Sequence, residues 1–353
     1  FEGAFIQSKA IDKRLKEDGR RVYELAKLCL SNERYETAQK CFQYVIDRGD
    51  NYGYYDMACI DIINCDYQYL TQKQNPTTEE LTGLETKFIK AVEKYKGSHL
   101  SNFLISNLAN LQTYYLNKAD AAIALIEEVI GRQGIDPQVK AEFKIQLGDI
   151  YIIKNQIWDA SLLYSQVEKD FKFEPIGQEA KFRNAKLSYY AADFTWAKTQ
   201  ANVLKGSTTK LITDAIGVDT NAAPLARFSA ADLLILQHKY SQAIAEMDSI
   251  NKIFPTHTLG DDINFKKAEI FTKLGKYPEA EKMYKDILEF YPTELYGDDA
   301  QFKLAELYEK KLVDIEKAKQ AYQDVLTKYP GSIYVVEARK RYRKLRGDNL
   351  DNG

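Results

Sequence analysis

Histidine and tryptophan are scarce in this chain, and their scarcity excludes chemistry. Among 353 residues there are 3 histidines and 2 tryptophans. His99, His238 and His257 lie far apart and at positions that read as turns, so no metal-ligand spacing or His-based relay can be assembled from them. A glycine-rich phosphate loop and a nucleophile elbow are also missing. No cofactor is implied and no catalytic constellation is found, so the chain reads as a non-enzyme. Its 4 cysteines, Cys29, Cys41, Cys59 and Cys65, match no zinc pattern. They read as small apolar groups, with a Cys29–Cys41 disulfide left open for an oxidising compartment. No apolar run reaches the roughly 18 residues of a membrane span. The formal net charge of −2 gives no electrostatic reason to expect nucleic acid or a membrane surface as partner.

What the chain does have is aromatic residues and a period. It holds 25 tyrosines and 16 phenylalanines in a composition that is 45% hydrophobic. Residues 261–292 read as two amphipathic helices. Phe265, Ala268 and Phe271 share one face of the first; Ala280, Met283, Tyr284, Ile287 and Leu288 share one face of the second. Gly275 is placed to take the positive φ that ends the first helix. Pro278 suits the first turn of the second, and Pro292 ends it. Ala231, Ala268 and Ala305 are 37 apart. Ala243, Ala280 and Ala318, and likewise Pro255, Pro292 and Pro330, are 37 and 38 apart. Three markers sharing one period define an internal repeat. The alanines allow the helices to cross closely.

On Ala268, Phe271, Gly275, Tyr277, Ala280, Tyr284, Ile287 and Pro292, the unit resembles the tetratricopeptide repeat family, a helix-turn-helix of about 34 residues. The surplus here lies between the closing proline and the next first-helix alanine, as in residues 291–300. That spacing resembles tetratricopeptide proteins of bacterial envelopes. The wording at 179–185, 204–208 and 334–339 resembles uncharacterised members from Bacteroidota-type bacteria. The resemblance implies an all-α, right-handed α-solenoid of about eight repeats with a C-terminal capping helix, located in the cell envelope (periplasm, outer-membrane associated), with the cytoplasm as the alternative.

Along the chain, residues 1–19 read as a leading helix and 20–205 as an N-terminal array whose second repeat is irregular. Residues 206–223 are an insertion, either a longer connection over an apolar patch or a protruding contact element. Residues 224–331 form a C-terminal array, 332–346 the capping helix and 347–353 a disordered tail. Thr77 or Thr78 can cap the helix after 73–78, and Asp136 the helix that opens on Pro137. Asp261-Asp262 and Asp298-Asp299 are read as N-caps of first helices. The sequence starts inside what reads as a helix, so an upstream segment is expected. Membrane attachment would then be peripheral or through a lipid anchor on that segment.

In the resembled family, first-helix positions 2, 5, 9 and 12 line a concave face. Carried over, position 5 falls on Phe182, Phe228, Phe265 and Phe302. The acids at positions 2 and 9 are Asp232, Asp262, Glu269, Asp299 and Glu306. These nine residues are the candidate protein-binding site: an aromatic ladder flanked by carboxylates, suited to an extended or helical segment with apolar and basic residues. The alternative use of the phenylalanines is packing between neighbouring first helices. Binding of chaperone C-termini is not implied, because the Lys and Asn of that clamp are replaced by Phe and acids. The run Arg339-Lys340-Arg341, with Arg343, Lys344 and Arg346, either complements a helix dipole or docks on an acidic partner or anionic lipid. The expected function is a non-enzymatic scaffold for protein–protein interaction. The alternative is the interaction half of a longer enzyme or regulator.

Overall fold

The computed structural model describes residues 1–73, 76–195, 197 and 222–348. Most of the insertion and the last five residues of the tail therefore lie outside the described residues. Among the described residues the chain is helical, with no strand. It divides into two compact units, Phe1–Lys181 and Phe182–Gly353.

The first unit runs through α1 (Glu2–Leu15), α2 (Arg20–Ser31), α3 (Tyr35–Ile46), α4 (Tyr55–Gln72), α5 (Thr78–Lys94), α6 (Leu100–Tyr114), α7 (Ala119–Ile130), α8 (Pro137–Ile153) and α9 (Ile157–Asp170). The unit boundary falls within α10 (Pro175–Tyr190). Helix starts follow local chemistry. Thr77 and Glu80 form a reciprocal capping box at α5. Asp136 accepts from Gln138 and Val139 N–H at 2.9 and 3.1 Å, behind Pro137 at the first turn of α8. Helices pack as successive pairs on small residues. A Cβ on Gly148 of α8 would stand 2.5 Å from the Tyr164 ring of α9, so only glycine permits that crossing.

The second unit contains α11 (Ala222–Leu236), α12 (Tyr240–Ile253), α13 (Gly260–Lys273), α14 (Tyr277–Phe290), α15 (Gly297–Leu307), α16 (Ile315–Lys328) and α17 (Val335–Arg346). Ala231, Ala243, Ala268, Ala280, Ala305 and Ala318 are all fully buried, which is where the 37-residue period places the helix crossings. Seven of the turns inside helix pairs use one left-handed residue: Glu33, Asn117, Asn155, Ala192, His238, Gly275 and Val313. Only one of these is glycine. After the turn, the N–H of Lys276 bonds the Phe271 carbonyl at 2.8 Å and that of Lys239 the Leu234 carbonyl at 2.8 Å, satisfying end-of-helix acceptors. The one-residue lengthening between Ala305 and Ala318 is absorbed by a π-turn at Tyr308–Leu312 that follows α15.

One expectation is corrected here. The pairs Asp261-Asp262 and Asp298-Asp299 do not cap: α13 and α15 begin at Gly260 and Gly297, so the aspartates lie in the first turn, with no side-chain cap bond. The glycine start has a steric cause. A Cβ on Gly297 would lie 2.4 Å from the Pro292 carbonyl oxygen, and one on Gly260 2.3 Å from the Tyr291 hydroxyl. The acids still complement the positive end of the helix dipole.

Candidate functional site on the first helices of the second unit

The position-5 aromatics do not form an exposed ladder. Phe228, Phe265 and Phe302 are only 1%, 7% and 5% exposed. The Phe265 ring is stacked on Tyr296 at 4.4 Å and meets the edge of Tyr284 at 6.0 Å. Phe302 repeats this with Tyr334 at 4.5 Å and Tyr322 at 5.8 Å. The first unit has the same clasp at Tyr23, between Tyr54 at 5.1 Å and Phe42 at 5.9 Å. Tyr23, Phe265 and Phe302 are thus each covered by an aromatic of their own second helix and by the tyrosine that precedes the next first helix, whereas Phe228 is buried in a cluster with Met247 and Leu259. Burial of this kind is a packing role, and it removes these rings as anchors for a partner. Phe182 is half-buried against the Tyr189 cluster, with the Lys186 ammonium 5.0 Å from its ring.

The carboxylates are brought together, but mostly with partners of their own. Asp232 on α11 lies 3.7 Å from the Lys266 ammonium of α13, which is also 3.7 Å from Glu269. Glu306 on α15 meets Lys303 at 2.9 Å, Lys310 at 2.8 Å and Arg341 of α17 at 3.4 Å. Burial pushes the Glu306 carboxyl up, but the bonds from Lys310 and Lys303 outweigh it and hold it below the usual carboxylate range. Asp299 accepts from the Tyr334 hydroxyl at 2.6 Å. Asp262 is different. Burial, then the charges of Asp261 and Asp232, push its carboxyl up to about 7 against the counter-pull of Lys266. The buried hydroxyls of Tyr189 and Tyr296 border these carboxylates and have no hydrogen-bond partner among the described residues.

The sequence reading missed Lys266 and Lys303, and gave Arg341 a helix-dipole or docking role rather than this one. Lys266, Lys303 and Arg341 stand 37 and 38 residues apart, the period of the repeat, and a search at that period would have found them. Arg341 shows most fully what such a slot accepts. Its guanidinium meets Glu337 at 2.8 Å, Glu309 at 3.1 Å and the Tyr322 hydroxyl at 3.4 Å, 5.9 Å from the centroid of the Phe302 ring.

Among the described residues no group of three or more His, Cys, Asp or Glu could hold a metal ion. No helix of the described residues is long and apolar enough to cross a membrane. A groove of about 430 Å³ in the first unit, lined by Pro137, Lys140, Ala141, Lys144, Val167, Asp170 and Phe171, contains none of the candidate residues.

Consecutive helix pairs, one period and small residues at each crossing define an all-helical repeat protein. Residues 262–293 and 299–332 match the sequence profile of the tetratricopeptide repeat. The second unit therefore carries tetratricopeptide repeats. Among solved structures it is similar to a tetratricopeptide repeat protein from Parabacteroides merdae ATCC 43184, at 14% identity over 80% of this chain and 99% of that one, with a TM-score of 0.31. It is also similar to the C-terminal part of a TPR repeat-containing protein from Cytophaga hutchinsonii, at 15% identity over 77% and 97%, TM-score 0.31. A Rap protein complexed with Competence and Sporulation Factor matches at 13% identity over 93% and 96%, TM-score 0.37. No curated protein sequence matches the chain. Repeats of this family support a protein-interaction scaffold.

Proposed function

We propose that this chain is a non-enzymatic scaffold that holds a basic segment of a partner protein along the first helices of its second unit, within a cell-envelope assembly. The observation that carries the reading is the imbalance around Lys266. Asp232, Asp262 and Glu269 all act on that one ammonium, and its ion pairs with Asp232 and Glu269 are both 3.7 Å, beyond hydrogen-bond length. Acceptor capacity is left over, and Glu269, at 41% side-chain exposure, offers it to solvent. An arginine or lysine of a partner supplies the missing donors, as Arg341 does for Glu306 and Glu309. The apolar anchors such a partner needs must come from elsewhere than the buried phenylalanines. The envelope setting rests on the likeness of repeat length and wording to envelope proteins.

The test is affinity capture from the envelope fraction of the source cell with wild type and an Asp262→Asn/Glu269→Gln variant shown by circular dichroism to be folded. Loss of one partner supports the reading. If every partner persists, the first-helix face is not the binding surface. If partners appear only in the soluble cell fraction, the envelope setting fails.

A further inference from the structure

The last helix of the chain presents two faces with opposite fates. Inward, Ala338 is fully buried, and Tyr334, Tyr342 and Leu345 pack on the core of the second unit. Arg341 also turns inward and is held by Glu306, Glu309 and Glu337. Outward, Arg339, Lys340, Arg343 and Lys344 are all exposed and make no ion pair with any described residue. Two aliphatic side chains stand at the start of the same surface, Ile333 at 86% and Val336 at 77% exposure.

The helix dipole accounts for only part of this. Cations are favoured in the last turn, which covers Arg343, Lys344 and Arg346. Arg339 and Lys340 sit in the middle of α17, beyond the reach of that effect. They also form like-charge pairs at i,i+4, Arg339 with Arg343 and Lys340 with Lys344, an arrangement that weakens an isolated helix. Packing does not require them, since the inward face alone secures the helix. Arg339 and Lys340, which help neither the helix nor its core, and the row they extend are accounted for by a negatively charged surface outside the described residues.

We propose that the outer face of α17 is a docking surface for an acidic segment of another protein, with Ile333 and Val336 receiving apolar side chains beside its carboxylates. This surface is separate from the first-helix face, and the inference does not rest on the binding reading given above. The footprint favours a peptide segment. The four cations span less than two helical turns, about 8 Å along the axis. That matches a few successive side chains of a partner, whereas stable attachment to a bilayer takes a wider polybasic or apolar area.

The probe is a fluorescein-labelled peptide of repeating Glu-Glu-Leu-Leu, titrated with the full chain and followed by anisotropy at low and high salt. Wild type should bind, and binding should weaken as salt rises. Arg339→Gln/Lys340→Gln/Arg343→Gln/Lys344→Gln should weaken it by about tenfold or more, and Ile333→Ser/Val336→Ser by a smaller factor. Lys13→Gln/Lys90→Gln/Lys96→Gln/Lys169→Gln removes the same charge elsewhere and should leave binding unchanged. Should the quadruple α17 variant unfold, Arg339→Gln/Lys340→Gln makes the same comparison. No peptide binding, or equal loss in the control variant, overturns the proposal. So does tighter α17-dependent binding to phosphatidylserine-containing vesicles or to a DNA duplex than to the peptide.

Discussion

Asp262 is a carboxylate that the fold holds against its own ionisation, and its removal should strengthen the protein. The carboxyl is raised from an ordinary 3.8 to about 7 by burial, then by Asp261 and Asp232. Below about pH 4 it is protonated in both the folded and unfolded chain and costs nothing. As pH rises towards 7, the unfolded chain gives up the proton and the folded one keeps it, so stability falls until the folded carboxyl also ionises. At about 1.36 kcal/mol per pH unit, the gap sets an upper bound of about 4 kcal/mol. Asp262 is only half-buried, and solvent screening reduces this to about 2 kcal/mol. Asp262→Asn keeps the shape and lacks the charge. It should gain about 2 kcal/mol near pH 8 and about nothing near pH 4. Urea unfolding followed by circular dichroism across that range measures the difference, using the transition that reports the second unit, because repeat arrays need not unfold in one step. A variant less stable than wild type near pH 8 would refute the reasoning: the carboxylate would then be accepting hydrogen bonds worth more than its desolvation.

Three shorter predictions follow from the packing. Phe302→Ala should cost about 3–5 kcal/mol, read as an earlier unfolding transition, because it empties a stacked and fully enclosed position. A variant that folded as well as wild type would return that ring to the list of binding residues. Val313→Gly should gain about 1 kcal/mol, since a β-branched residue holds a φ of 53° there while it is 69% exposed; denaturant unfolding checks it. Burial pushes the Cys41 thiol up to about 12, and Cys29, Cys41 and Cys65 are all fully buried. A disulfide-exchange reagent at neutral pH should therefore label half-buried Cys59 in the folded protein, and the other three only once denaturant is added.

The helical repeat was legible because its signal is one of residue size and spacing. Ala231, Ala268 and Ala305 recur at one interval, and all three are fully buried crossings. The left-handed residue of a turn was legible only where it is a glycine; His238 was read as a turn position but not as left-handed. Gly275 announces its conformation, whereas His238 and Val313 adopt it under the demands of the surrounding helices. The candidate site was half legible. The framework placed Asp232, Glu269 and Glu306 on facing first helices, and the structure brings each to a cation there. It could not say whether a recurring phenylalanine faces a partner or a neighbour. That depends on a residue from the next repeat, Tyr296 or Tyr334, whose ring closes over it. Position within one helix carries no information about such a lid.

The lid also gives the long spacer a physical reason. The surplus beyond a 34-residue repeat lies between Pro292 and Ala300, and that stretch contains Tyr296; the next spacer contains Tyr334. Both rings stack on the preceding position-5 phenylalanine at nearly the same distance, 4.4 and 4.5 Å. Their hydroxyls differ. Tyr334 donates to Asp299 at 2.6 Å, while the Tyr296 hydroxyl is buried without a partner among the described residues. The two Tyr→Phe substitutions therefore separate stacking from hydrogen bonding within one molecule. Tyr334→Phe keeps the stack and loses a bond to a carboxylate, which should cost about 1.5–3 kcal/mol. Tyr296→Phe keeps the stack and removes an unsatisfied polar group, so it should be neutral or stabilising by about 1 kcal/mol. Equal losses in the two variants, measured by urea unfolding, would mean that the Tyr296 hydroxyl is satisfied in solution, with Asp262 the carboxylate whose charge acts on it most. Asp262→Asn would then fail to stabilise as well, and the two experiments would refute the same picture of that corner.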